Sequence, residues 1–224
     1  MAGLSVVTAE TEFAITLTEA KNWLRVDGTD DNTVLTNMLK MSHNWAKRYT
    51  HRSLTTQTLK LSIDSIYDVD IPLHEGFYLG IDQDISRRSI ILPESPVASI
   101  SNVKYYDDAD TESTFASSKY YLDSASVPAR LVLRQGESYP TGLRVANALE
   151  ITYVAGFGGE SAVPQDIKHA CLIYLAFLFE HRGDLLDGKN VLAPYGATQL
   201  LTPYVIRQFS TNPYRGTAHY GGMV

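Results

Sequence analysis

The segment from Val163 to Gly183, VPQDIKHACLIYLAFLFEHRG, constrains the fold more than any other part of this sequence. Pro164 suits the first position of a helix, Asp166 places negative charge in the first turn, and Gly183 can close the helix in a left-handed conformation. Ten residues, 170–179, carry no charge, a run too short for a membrane span of roughly 20 residues. A helix that is apolar on nearly all sides needs cover from several neighbours, either at the centre of a domain or in a subunit interface. We interpret it as a helix that packs against protein, including other copies of the same chain.

The charge and cysteine content exclude several classes of protein. The chain has 224 residues and a formal net charge of -6. Surfaces that bind DNA stably are usually strongly basic, whereas an acidic surface is compatible with DNA that moves past it. The single cysteine, Cys171, excludes an intrachain disulfide and is expected to be a small buried hydrophobic residue. The N-terminal sequence has no secretion signal or membrane anchor, so we expect the protein to be made and kept in a cytoplasm.

Helical patterns flank a central region with the periodicity of β-strands. Residues 1–15 predict an extended arm, after which Thr16 and Glu19 fit a capping box. Capping signals and three-and-four apolar spacing predict helices over residues 17–26, 31–50 and 164–182. Trp23, in the first of these helices, is expected to belong to the core.

Apolar residues alternate with polar ones at Leu59, Leu61 and Ile63, and further short strand patterns with turn signals between them predict an antiparallel β region over residues 55–156. This region contains a poorly patterned insertion at 64–87 and ends in a glycine-rich turn, 156–159, which is expected to need positive φ. The sequence therefore predicts an α+β fold in which N-terminal and C-terminal helices pack with a central antiparallel β region. Residues 16–183 form the predicted main domain, and residues 184–224 form a C-terminal extension that ends in an extended tail.

The motifs of catalysis and metal binding are missing from the sequence. The histidines form no HxH or HExxH pattern, and no GxSxG or phosphate-binding loop motif occurs. We therefore predict no catalytic residues, no cofactor and no metal. Aromatic and arginine side chains dominate protein interfaces, and they give the candidate partner-binding residues. These candidates are Trp45, Arg48, Tyr174, Phe179, Tyr204, Phe209, Tyr214 and Tyr220.

The order of these segments resembles the head-tail connector family of tailed phages and gene-transfer particles. Three stretches carry the resemblance, TLTEAKNWLRVDGTDDNTVLTNMLKMSHNWAKRYTHRSL, SPVASISNVKYYDDADTESTF and LEITYVAGFGGESAVPQDIKHACLIYLAFLFEHRGD. Together they cover most of residues 14–184. The sequence differs from the family pattern in the 64–87 insertion and in the tail rich in Gly, Tyr and Pro.

The resemblance implies a non-enzymatic adaptor in the neck of a virion, assembled in the host cytoplasm. It implies a homo-oligomeric ring, commonly of twelve copies, that docks on a portal protein and meets a downstream stopper or tail protein. DNA would pass through the lumen without sequence-specific binding, and no membrane would be involved. The alternatives are a stopper or tail-completion ring of the same neck, a DNA-packaging helper, and a hydrolase whose site is assembled from scattered residues.

Overall fold

The computed structural model of the protein describes residues 2–64, 88–181 and 193–206. Four α-helices and eight β-strands lie wholly within these ranges. The strands are β1 (Ala2–Thr8), β2 (Gln57–Ile63), β3 (Ser89–Ile91), β4 (Val97–Tyr106), β5 (Glu112–Thr114), β6 (Tyr120–Asp123), β7 (Arg130–Leu133) and β8 (Leu149–Ala155). The helices are α1 (Leu17–Leu24), α2 (Asn32–Thr50), α3 (Gln165–Glu180) and α4 (Tyr195–Leu201). The predicted α+β fold is confirmed, while residues 65–87 of the predicted 64–87 insertion and residues 184–192 and 207–224 of the predicted C-terminal extension lie outside the described residues.

The strands form two antiparallel sheets. The larger sheet has the order β1-β2-β8-β4-β5, and the smaller has the order β3-β7-β6. The pairing of β2 with β8 is regular, since it places Leu59 opposite Tyr153 and Leu61 opposite Ile151. Because side chains alternate between the faces of a strand, the apolar residues of β2 and β8 share one face of the larger sheet.

The first hydrophobic core joins the two sheets. Leu59, Ile151 and Tyr153 of the larger sheet are fully buried and belong to the same cluster as Leu131 and Leu133 of β7. The apolar side chains whose alternation predicted these strands are therefore the ones buried against the second sheet.

The helices form a second, separate core around α3. Ile167, Ala170, Cys171 and Leu175 of α3 are fully buried and cluster with residues of α1, α2 and α4. The first half of the apolar helix is thus covered inside one chain. Other copies of the chain are therefore not needed to cover this half of the helix, whereas from the sequence we expected other copies to pack against it.

Two local expectations turned out differently. Trp23 was expected in the core, but it is 44% exposed, because α1 is short and buries only Ala20. The expected N-terminal arm is extended, but its first part is strand β1, which pairs with β2 over residues 2–8. The proposed division of the chain into arm, main domain and C-terminal extension stays a prediction.

Candidate interaction surfaces

Four aromatic side chains lie in a row across α2 and α3, and we call them the aromatic face: Tyr49, Trp45, Tyr174 and Phe177. The rings of Trp45 and Tyr174 stack with their centroids 4.4 Å apart. Tyr49 lies 5.9 Å from Trp45, and Phe177 lies 6.2 Å from Tyr174. All four are only partly buried. Rigid aromatic surfaces of this kind bury much area at low entropic cost, which is why they dominate interface hot spots.

The structure brings together only some of the predicted partner-binding residues. Trp45 and Tyr174 belong to the aromatic face, and the exposed Arg48 lies on α2 three residues from Trp45. Phe179 is partly buried and lies on a different side of α3, because five residues after Tyr174 correspond to about 140° around a helix. Tyr204 lies elsewhere, since its hydroxyl donates to Asp166 Oδ2 at 3.0 Å. Phe209, Tyr214 and Tyr220 lie outside the described residues.

A second aromatic patch lies between α1 and α3, and we call it the Trp23–His169 patch. The two rings meet edge to face, 5.1 Å apart. Trp23 is 44% exposed and His169 is partly buried. His169 and Tyr174 are five residues apart on α3, so this patch and the aromatic face are separated by about 140° around the helix. The helical layer therefore presents two different aromatic surfaces.

A polar cluster connects α2 to the larger sheet, and the sequence reasoning did not identify it. Lys47 Nζ lies 3.2 Å from Glu10 Oε2 and 2.9 Å from Gln57 Oε1. The buried His43 accepts a hydrogen bond at Nδ1 from the Ala14 backbone N–H, 3.0 Å away, which leaves the ring proton on Nε2. This Nε2 faces Glu10 Oε1 at 3.2 Å. The cluster therefore fixes the segment after β1 against both layers of the molecule.

The charge state of Glu10 depends on this cluster. Burial opposes ionisation of the Glu10 carboxyl, but the contact with His43 and the charge of Lys47 outweigh that effect and hold its pKa below the ordinary 4.5. A carboxyl whose pKa is lower in the folded chain than in the unfolded chain stabilises the fold at pH values above its unfolded pKa. This stabilisation is lost as the pH falls through the folded pKa.

Glu10→Gln is therefore expected to lower the free energy of unfolding by about 1–3 kcal/mol at neutral pH, because it weakens hydrogen bonds to a charged group. The difference from the wild-type protein should shrink as the pH falls below about 4. Urea unfolding at several pH values measures both effects. Glu180→Gln, at the exposed end of α3, is the matched control and should show neither effect. A pH-independent difference for Glu10→Gln would contradict this account.

A cleft of about 520 Å³ lies between the segment before α1 and the turn before α3. Its lining includes Phe13, Ile15 and Leu39 together with the carboxyl groups of Glu12 and Glu160. Both carboxyl groups have protein partners, since Glu12 Oε2 accepts from the Glu160 backbone N–H at 2.8 Å and Glu160 pairs with Lys168. The contact of Glu12 with the Glu160 backbone therefore holds the segment before α1 against the turn before α3.

Burial raises the pKa of the Cys171 thiol to about 12, so the expectation of a small buried hydrophobic residue is confirmed. In the part of the chain that the structure describes, no group of three or more His, Cys, Asp or Glu residues could hold a metal ion. The same part contains no helix long and apolar enough to cross a membrane.

Residues 14–77 match a family model described as phage gp6-like head-tail connector protein. The fold is similar to a chain in the neck of an empty gene transfer agent particle, computed with C6 symmetry, with a TM-score of 0.70 and 21% identity over 92% of this chain and 96% of that one. Chains in the virion of the native gene transfer agent particle and in its neck computed with C12 symmetry each match with a TM-score of 0.65 and 22% identity over the same shares. No curated protein matches the sequence.

The two comparisons cover different parts of the chain. The family match begins two residues before the α1 capping residue, Thr16, and includes all of α1, α2 and β2. The structural match extends over most of the chain and, at these identities, establishes a shared fold. The resemblance to the phage head-tail connector family that the sequence predicts is thereby confirmed, by the gp6-like family match at residues 14–77 and by a fold shared with a particle-neck protein.

Proposed function

We propose that this protein is a structural head-tail connector, or adaptor, of a tailed phage or phage-like particle, located in the neck of the virion. Its copies form a ring under the portal that links the capsid to the tail and surrounds the DNA channel. The observation that carries the proposal is the coincidence of the family match at residues 14–77 with a fold shared over 96% of a chain from a particle neck.

The two aromatic surfaces support assembly into a ring. Neighbours in a ring meet head to tail, so each copy must present two different patches that complement each other. The aromatic face and the Trp23–His169 patch are separate, partly exposed surfaces on different sides of α3. We assign them as the two sides of the contact between neighbouring copies, with Arg48 at the edge of the first. Twelve copies is our proposed ring size, and C12 symmetry was used for the neck of one particle that contains a similar chain.

The charge of the chain supports a lumen through which DNA passes without binding. With a net charge of -6, the protein repels the phosphate backbone overall, so DNA should not bind stably in the lumen. The proposed partners are other copies of the chain, the portal protein on one side and a stopper or tail protein on the other. A stopper or tail-completion ring of the same neck is the alternative, and it differs in docking below the adaptor rather than on the portal.

The proposal is tested by mixing the purified protein with the portal protein of the same particle and imaging the product by electron microscopy. We expect a ring of this protein bound directly to the portal. A protein that binds only to an existing adaptor ring would be the stopper, and one that binds neither would overturn the proposal.

Arg48→Glu tests the contact between copies. Arg48 is exposed, and its Nε donates only to the Asn44 carbonyl of the same helix, 3.3 Å away, among the contacts described. A reversed charge at the edge of an interface should reduce ring formation on the portal at least tenfold, equivalent to about 1.4 kcal/mol, with little change in thermal stability. Lys40→Glu makes the same charge change two turns earlier on α2 and should assemble normally. Equal loss in both variants would show a general charge effect and would contradict the assigned contact.

A further inference from the structure

Strand β1 leaves one edge of the larger sheet open. It is the first strand in the order β1-β2-β8-β4-β5, and within residues 2–64, 88–181 and 193–206 no strand pairs with its outer side. Residues 3–9 are all exposed, and they include Leu4 at 41%, Val6 at 55% and Val7 at 56% exposure. Residues 2–8 contain no charged residue and no proline. Natural sheets normally protect their edges with charges, prolines, bulges or short strands, and β1 has only one of these features, the register shift between Val6 and Thr8.

The opposite edge of the same sheet carries those protective features. Strand β5 has only three residues, and Glu112 in it pairs with Lys104 of β4 at 2.6 Å. The β5 edge therefore disfavours pairing with a further strand, whereas the β1 edge permits it.

We propose that the open edge of β1 pairs with β1 of a second copy, antiparallel and centred on Ser5, in the free protein before it enters any particle. This pairing would place Leu4 of each copy opposite Val6 of the other, with the two Ser5 residues facing each other across a two-fold axis. The regular part of β1 supports this register, because its one register shift lies between Val6 and Thr8, beyond the central residues 4–6.

The residues of β1 complement themselves in this register. Leu4 and Val6 lie opposite Leu61 and Leu59 of β2, so a second β1 would continue this apolar row across the boundary between the copies. On the other face, Ser5 lies opposite Lys60, whose charge is paired with Glu150 at 3.2 Å. An isologous contact brings each residue close to its own copy, so a charged strand would repel itself, whereas β1 has no charge to repel.

This pair is distinct from the contact proposed for the ring. A single ring has no two-fold axis that relates neighbouring copies, so a pair built on β1 belongs to the free protein. The inference does not depend on the proposed function, because it follows only from the exposure and sequence of β1. Its consequence is that the edge is covered by a second copy instead of being available for aggregation.

Sedimentation equilibrium over a range of protein concentrations tests the pairing. We expect the wild-type protein to be a dimer and Val6→Lys to be a monomer, because the substitution places a charge in the shared apolar row. Val145→Lys is the matched control, since Val145 is 91% exposed and lies outside β1, and it should remain a dimer. A wild-type monomer at every concentration, a larger oligomer, or a dimer that Val6→Lys leaves intact would overturn the proposal.

Cysteine cross-linking tests the register. Cβ atoms directly opposite in antiparallel strands are about 4.5–5.5 Å apart, close enough for a disulfide after a small adjustment. Under mild oxidation Ser5→Cys should therefore link to itself. Gly3→Cys should fail to link to itself, whereas Leu4→Cys and Val6→Cys should each fail alone and should link when mixed. The wild-type protein is the control, because its only cysteine, Cys171, is buried. Absence of the Ser5→Cys link in a dimer, or efficient linking of Gly3→Cys to itself, would overturn the register.

Discussion

Gly156→Ala is expected to lower the free energy of unfolding by about 3–4 kcal/mol, the largest effect that we predict for a single methyl group. Gly156 ends the larger sheet just after β8 and has a φ of 121°, which residues with a side chain rarely adopt. A Cβ at this position would lie 2.3 Å from the Thr55 carbonyl oxygen and 2.5 Å from the Thr55 carbonyl carbon. These are backbone atoms, so the clash cannot be relieved by rotating a side chain.

The backbone around Gly156 has little freedom to move. The Gly156 N–H donates to the Pro96 carbonyl at 2.8 Å, and the Phe157 N–H donates to the Leu54 carbonyl at 3.2 Å. Thr56 in turn donates to the Gly158 carbonyl at 2.9 Å. A shift that accommodated a methyl group would break hydrogen bonds that hold the turn against the start of β2. Since this turn leads directly to α3, the variant should also impair ring formation.

Two other glycines provide controls for urea unfolding of Gly156→Ala. Gly136 has a φ of 85° but open space around it, so Gly136→Ala should cost only about 1 kcal/mol. Gly196 lies exposed in α4 with open space around it, so Gly196→Ala should be neutral or stabilise the protein by up to about 1 kcal/mol. If Gly156→Ala were no worse than Gly136→Ala, the close approach of the turn to Thr55 would be refuted.

Local sequence patterns were sufficient to predict the structure of segments whose conformation depends on a few adjacent residues. The capping box is present, because Glu19 N–H donates to Thr16 Oγ1 at 3.1 Å and Thr16 N–H donates to Glu19 Oε2 at 2.7 Å. The glycine turn also has the expected positive φ, at Gly156 and Gly158. Both features depend on a few adjacent residues, so the sequence contains the information needed to predict them.

Strand β1 could not be recognised in the same way. Alternation reveals a strand only when one of its faces is buried, and both faces of β1 are exposed. What holds β1 is a backbone ladder to β2, which begins about 50 residues later and leaves no trace in the side chains of residues 2–8.

The contacts that define the candidate surfaces are also non-local. The role of Trp45 as an interface residue stays a prediction, and no sequence rule places its ring on Tyr174, which belongs to a helix more than a hundred residues away. Trp23 was assigned to the core from its spacing, although α1 is too short to bury it. The proposed adaptor function rests on resemblance to a family and not on any single residue pattern.

Lys168 is the clearest case of a residue whose importance appears only in three dimensions. It precedes the uncharged run of α3 and is only 7% exposed. Its Nζ pairs with Glu160 in the turn before α3 and lies 3.5 Å from Glu19 Oε1 in the capping box of α1. One lysine therefore joins the start of α3, the glycine turn and the start of α1. In the sequence it reads as an ordinary lysine in the first turns of a helix.

Glu19 shows how the charges at this junction are balanced. Burial tends to raise the pKa of its carboxyl, but hydrogen bonds from Thr16 and the charge of Lys168 outweigh that effect and lower it from 4.5. The stabilisation that Glu19 gives is therefore present above its unfolded pKa and is lost as the pH falls through the folded pKa. A substitution that adds negative charge at this junction should therefore reverse the dependence of stability on pH.

Lys168→Glu is accordingly expected to lower the free energy of unfolding by about 3 kcal/mol at neutral pH. This value is at the lower end of the range for a broken buried ion pair, because Glu19 is 39% exposed and water screens part of the repulsion. The carboxyl groups of Glu19 and Glu160 would then lie close to the one introduced by Lys168→Glu. Repulsion and burial would raise the pKa of the introduced carboxyl group in the folded state above its value in the unfolded state. Protonation would favour the folded state, so the difference from the wild-type protein should shrink below about pH 5.

Urea unfolding of Lys168→Glu at neutral and acid pH measures both predictions. Lys168→Met keeps a long side chain and adds no negative charge, so it should cost about 1–2 kcal/mol at neutral pH. Its deficit should shrink at acid pH only because the wild-type protein loses its own ion pairs there, so it should recover less than Lys168→Glu. Lys40→Glu, on the exposed side of α2, makes the same charge change without a buried partner and should leave stability nearly unchanged. A deficit in Lys168→Glu that persisted unchanged at acid pH would mean that lost packing, rather than converging charge, is the cause. A protein as stable as the wild type would show that the junction of α1, α3 and the glycine turn does not depend on this lysine.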